Sequence, residues 1–241
     1  MIGTHDQPAG ESFPAGCTTY MKAIFAILSL WIAAATAFAQ DLDLLVQHRI
    51  KVVGMDGVTR TTEFAERVVR RKNQVWIERV IPAGVHEAKA HAPSGHGDKH
   101  LDLSTAARWI TLEGGKTLNV RLVNAEDKIV VSVPAAEYAD IGFDGKWDNA
   151  WHLLDPRQLQ AMKPLAGEAP AGMRWYESVS GDLTVRVLWD EKAEIPRRVQ
   201  SGNDTGSVRK SMSARDVAPR KSLPWTQIGS YGQREYSDYL D

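Results

Sequence analysis

Apolar and polar residues alternate along most of the chain after residue 40, the period-two pattern of half-buried strands. In 46–52 the side formed by Val46, Ile50 and Val52 is interrupted only by His48. Asp56-Gly57 marks a turn, and 58–71 resumes in extended form with Phe64 and Val68 on one side. Lys72-Asn73 turns the chain into a third strand over 74–81 (QVWIERVI). Three strands joined this tightly form an antiparallel meander, because parallel neighbours need long crossovers. Strand patterns return at 108–112, at 117–123 after Gly114-Gly115, and at 128–133, where Pro134 closes the block. They recur at 174–178, at 183–190 beyond the Ser180-Gly181-Asp182 turn, at 197–201 and, after Asn203-Asp204, at 206–217, read as the last strand.

Two stretches break the pattern. Residues 82–102 are small, polar and rich in histidine, and read as a loop. Residues 135–165 carry apolar side chains at mixed spacings, with Asp155-Pro156 as a helix start. Asp caps the free N–H groups and Pro suits the first helical position, so a short helix is expected near 157–163, ended by Pro164.

The N-terminus has another character. Residues 21–39 (MKAIFAILSLWIAAATAFA) combine a lysine, an apolar run and Ala37-Phe38-Ala39 as a small-x-small cleavage site, the signature of a secretory signal peptide. Residues 1–20 are polar, lack periodicity and read as a leader upstream of Met21, the expected initiator. A retained membrane anchor is the rival reading, which the cleavage site disfavours. The expected mature chain, 40–241, is one β-rich domain exported to the periplasm and not integral to the membrane after cleavage. Loss of Lys22, Asp6 and Glu11 leaves it 28 basic and 28 acidic residues, a balance that excludes a general nucleic-acid binder. Cys17, the one cysteine, is lost too, so the core alone must stabilise the fold.

The segment 183–217 has a strand ending in Trp189-Asp190, then Ile195-Pro196-Arg197-Arg198-Val199, then an Asn203-Asp204-x-Gly206 turn and another strand. It resembles the C-terminal hairpins of the LolA-like superfamily, the periplasmic lipoprotein-localisation carrier and its relatives. The meander with Val75-Trp76-Ile77 looks like that family's opening strands, so the resemblance spans about half of the mature chain. It implies a mainly β (α+β) fold: a curved antiparallel sheet forming a half-barrel over one or two short helices, with an apolar hollow. It further implies a non-enzymatic carrier, chaperone or envelope sensor whose partner is a lipid, acyl chain or lipoprotein segment, with an envelope protein as a further partner. The chain departs from the pattern in two places: 41–45 is too short for the carrier's opening helix, and the histidine loop has no counterpart.

Two residue sets carry candidate chemistry. Seven tryptophans follow residue 40, and their large apolar rings with one N–H suit pocket walls as well as cores. Trp76, Trp109, Trp147 and Trp151 are the candidate ligand contacts, the last two on the irregular segment expected to cover the hollow. His86, His91, His96 and His100 lie within fifteen residues, and neutral imidazoles favour Zn or Cu. A transition-metal-binding protein using 86–100 is therefore the alternative function, set against a solvated loop, since the spacings match no standard motif. No G-x-S-x-G elbow is present, and Gly142 and Gly145 interrupt the Asp140, Asp144, Asp148 repeat. The basic runs Arg70-Arg71-Lys72 and Arg197-Arg198 are expected to be solvated strand edges.

Overall fold

A single curved sheet of twelve strands organises the computed structural model, which describes residues 41–82 and 105–239. The expected signal segment and residues 83–104, with the four clustered histidines, lie outside the described residues. Long strands β1 (Leu42–Val53), β2 (Thr59–Arg71) and β3 (Gln74–Val80) form the antiparallel meander that the turn signals predict. Strands β4 (Ala107–Glu113), β5 (Thr117–Asn124) and β6 (Ile129–Val133) extend it in order. On the other side of β1 lie β11 (Val208–Asp216), β10 (Ile195–Asn203), β9 (Leu183–Asp190), β8 (Met173–Ser180) and the two-residue β7 (Lys163–Pro164). The two ends of the sheet do not meet, so it stays open rather than closing into a barrel.

The far margin differs from expectation. Strand β11 is not the last: β12 (Gly232–Glu235) in the aromatic tail pairs with β6, and in parallel. Four residues without an apolar stripe give no period-two signal, and the pairing is set instead by the tail docked before it.

Each face of the sheet has its own cover. On one face, Leu44 and Val46 of β1, Val68 of β2, Val75 of β3, Ile110 of β4, Val120 and Leu122 of β5 and Val131 of β6 are almost wholly buried. Tyr138, Phe143, Ala150 and Trp151 from 138–151 pack on them. Two short helices belong to this cover, α1 (Trp147–His152) and α2 (Pro156–Gln160). Leu153 in the left-handed region (φ 62°) ends the first. Asp155 starts the second as expected, its carboxylate accepting from the Arg157 backbone N–H at 2.9 Å. Helix α2 stops at Gln160, short of the expected 163, because Ala161 and Met162 turn back onto Gln158 and Leu159. Pro164 then joins an edge strand, where its missing N–H costs nothing.

On the opposite face, the tail supplies Leu223, Trp225, Ile228 and Tyr231 over Val69, Trp76, Ala107, Trp109, Val123 and Val130.

The basic runs are only partly solvated: Lys72 and Arg198 are exposed, but Arg70, Arg71 and Arg197 are not free edges. Arg70 is 2% exposed and donates to the carbonyls of Trp151 and Ala193, both at 2.9 Å. Arg71 pairs with Asp43, and Arg197 bridges Asp190 (2.9 Å) and Asp216 (3.0 Å). Arg70 ties β2 to covering segments whose carbonyls would otherwise be stranded from water, while Arg71 and Arg197 pair with carboxylates on neighbouring strands.

Asp190 holds the β9–β10 turn by accepting the Lys192 and Ala193 backbone N–H groups, both at 3.0 Å, and the Arg197 guanidinium. Burial pushes its carboxyl up, but these donors outweigh burial and keep it below the ordinary aspartate value. A lowered folded-state pKa adds stability above the unfolded value of 3.8 that is lost as pH falls through the folded one. Asp190→Ala is expected to lose about 2 kcal/mol at pH 7, from buried donors left unpaired. Urea titration at pH 7 and pH 3 should show the gap between parent and variant narrowing at the lower pH, and an unchanged gap would reject this role.

Candidate functional site

Between the helix-bearing face and its cover a hollow of about 340 Å³ remains. Its floor is Val46, Val68, Ile77, Ile110 and Met212, and its roof is Phe143, Ala150, Leu153 and Leu154. A second space of about 280 Å³ adjoins it, sharing Glu66, Ile77, Arg108 and Gly142 and adding Phe64, Arg79, Leu122 and Ile141. Both sit near the lower end of the roughly 300–1,000 Å³ typical of small-molecule sites.

The period-two geometry explains how charge enters an apolar face. Position 48 lies on the same side as Leu44 and Val46, position 66 between Phe64 and Val68, and position 79 in line with Val75 and Ile77. His48 Nε2 lies 3.1 Å from a Glu66 carboxylate oxygen, and Arg108 Nη2 lies 3.7 Å from the other. The His48 ring stacks on Phe64 at 4.5 Å, and the Arg79 guanidinium lies 3.9 Å over that phenyl ring. Burial raises the Glu66 carboxyl, but the His48 hydrogen bond and the charges of Arg108 and Arg79 outweigh it and hold it below the ordinary glutamate value. The hollow thus has an apolar floor and a polar wall in which two cations and an imidazole surround the Glu66 carboxylate, while Asp144, Asn149 and Gln158 add polar groups on the side of the cover.

The four candidate tryptophans are divided between two places, and none lines the hollow. Trp76 and Trp109 are register partners on the tail-bearing face, their N–H groups donating to Glu78 (2.8 Å) and Gln74 (3.1 Å). Trp147 stacks on Trp151 at 5.2 Å, and Trp151 is buried in the core with Arg70 4.7 Å from its ring. They brace the roof from behind. The residues that do shape the polar wall, Glu66, Arg79 and Arg108, follow from strand alternation alone once Phe64 and Val68 are placed inward. Among the described residues no group of three or more His, Cys, Asp or Glu is placed to hold a metal ion. His86, His91, His96 and His100 lie outside those residues. No helix among the described residues is long and apolar enough to cross a membrane.

No family model matches the chain, and no curated protein matches it. Among solved structures, an uncharacterized conserved protein from Thermus thermophilus overlaps 79% of this chain and 90% of its own at 11% identity and a TM-score of 0.36. A DUF1329 family protein from Desulfovibrio piger overlaps 83% and 92% at 9% identity and TM-score 0.34. A LolA superfamily protein from Nitrosomonas europaea overlaps 77% and 89% at 10% identity and TM-score 0.28. A LolA-type protein is thus among the structural neighbours. The overlaps are loose, and the open sheet is established by this chain's own strand order.

Proposed function

We propose that this chain is an exported, non-enzymatic binding protein that holds an amphiphile, an acyl chain with a polar head, in the hollow of its helix-bearing face. The observation that carries the reading is the composition of that hollow, a floor of aliphatic side chains beside a wall of Arg108, Arg79 and His48. Burial of the acyl chain drives binding and needs no energy source. The cations orient the head, since a charged or carbonyl oxygen placed there gains donors already fixed by Glu66 and Phe64. The expected cargo is a lipid or the acylated end of a lipoprotein, and the expected compartment is the periplasm, reached through the 21–39 signal.

Met212→Trp fills the hollow from β11 without disturbing a fully buried position. A fluorescent fatty-acid probe is expected to bind the parent and to bind this variant at least roughly tenfold more weakly, as the ring occupies the space of several methylenes. Equal binding by both proteins, or none by the parent, would remove the reading.

A further inference from the structure

The tail covers only half of its face. Across the other half, the outward positions of Gln47 to Lys51 on β1, Arg209 to Arg215 on β11, Arg198 to Gly202 on β10 and Thr184 to Leu188 on β9 form one continuous surface. It carries Arg49, Lys51, Arg186, Arg198, Arg209 and Arg215, all exposed, and no carboxylate. The residues between them are short or neutral, among them Ser211, Gln200 and Gly202, and Arg49, Lys51, Arg186 and Arg209 line a shallow groove of about 640 Å³ whose one carboxylate, Asp204, lies at its turn end. Glu63 and Glu177 on flanking strands pair with Arg49 and Arg186 at 3.0 and 2.6 Å. Lys51, Arg198, Arg209 and Arg215 have no ion-pair partner among the described residues. This concentration stands on a chain whose formal net charge is −1.

One end of the same surface is apolar. The β1–β2, β10–β11 and β8–β9 turns lie side by side, joined by hydrogen bonds from Val53 N–H to the Ser207 carbonyl (2.7 Å) and from Asp204 N–H to the Asp182 carbonyl (3.0 Å). Met55 at the first tip is fully exposed, Val58 and Val179 are 50% and 63% exposed, and Leu183, 43% exposed, stands at the same end on the other side of β9. Three aspartates oppose an anionic partner here: Asp56, which is tied to Arg60 at 2.8 Å, and Asp182 and Asp204.

We infer that this basic sheet face and its apolar hairpin tips form a docking surface for the headgroup region of an anionic phospholipid bilayer. The cations match the phosphates, and the exposed methionine and valines enter the acyl boundary, a contact that a soluble polyanion does not offer. The surface is separate from the hollow and does not rest on the carrier reading.

The test is partition of the full chain onto vesicles of pure phosphatidylcholine and of phosphatidylcholine with phosphatidylglycerol, for the parent, K51E/R209E/R215E and M55D. All three share residues 1–40, so a difference between the parent and either variant does not arise from the apolar stretch within them. The parent is expected to prefer the anionic vesicles by roughly tenfold or more, an advantage lost at high salt. The triple variant is expected to show a ratio near one with an unchanged circular dichroism spectrum, and M55D to bind anionic vesicles severalfold more weakly. A parent ratio near one, or a ratio that survives the charge reversal, overturns the proposal. Tight binding of dextran sulfate with vesicle partition indifferent to M55D also overturns it and assigns the face to a soluble polyanion.

Discussion

Arg70→Met is expected to lower the unfolding free energy by about 3 kcal/mol or more, from the loss of two charge-assisted hydrogen bonds to buried carbonyls. The arginine rises from the C-terminal end of β2 and ends against the Trp151 and Ala193 carbonyls, joining the sheet to the roof and to the β9–β10 turn. Its guanidinium also lies 4.7 Å from the Trp151 ring. Burial pulls the group down to about 10, so it is charged at neutral pH and cannot be removed without stranding both acceptors. Methionine keeps most of the volume, which isolates the polar loss from a packing defect. Urea unfolding of parent and variant measures the difference. A loss under about 0.5 kcal/mol, the range of an ordinary surface substitution, would mean that the roof is held by packing alone.

The second large effect lies in the floor of the hollow. Ile110 is fully buried on β4, opposite Val75 and Val120, and borders the cavity. Ile110→Ala should cost about 3 kcal/mol, because the lost methyl and methylene contacts leave a void that strands on both sides hold open. The enlarged hollow gives a second reading. If an acyl chain binds there, a saturating fatty acid should raise the thermal midpoint of the variant at least as much as that of the parent, since ligand restores contacts that the truncation removed. A destabilised variant whose midpoint does not respond while the parent's does would place the acyl chain elsewhere.

Strand alternation made the fold largely legible. The turn pairs Asp56-Gly57, Lys72-Asn73 and Gly114-Gly115 marked the connections, and Phe64 and Val68 marked one face of the second strand. The site was less so, for a physical reason. Position 70 falls on the same period-two side as Phe64 and Val68, yet a run of Arg-Arg-Lys reads by composition as solvated. The buried carbonyls that call for Arg70 sit in loops whose positions no local pattern reveals. Alternation places Glu66 and Arg79 on the inward side, but their partners are distant in sequence, so their pairing was not legible. The tryptophans, singled out for their size, lie apart from one another: Trp76 and Trp109 on the sheet beneath the tail, Trp147 and Trp151 in the helical cover.

Both margins of the sheet are blunt. One ends in two residues containing a proline, which offers no donor there, and the other in four exposed residues that include Arg234 and Glu235. A neighbouring copy therefore finds no long run of free amides and carbonyls along which to add its own strands. Short margins of this kind work against the end-to-end addition of sheets by which open β structures grow into fibres.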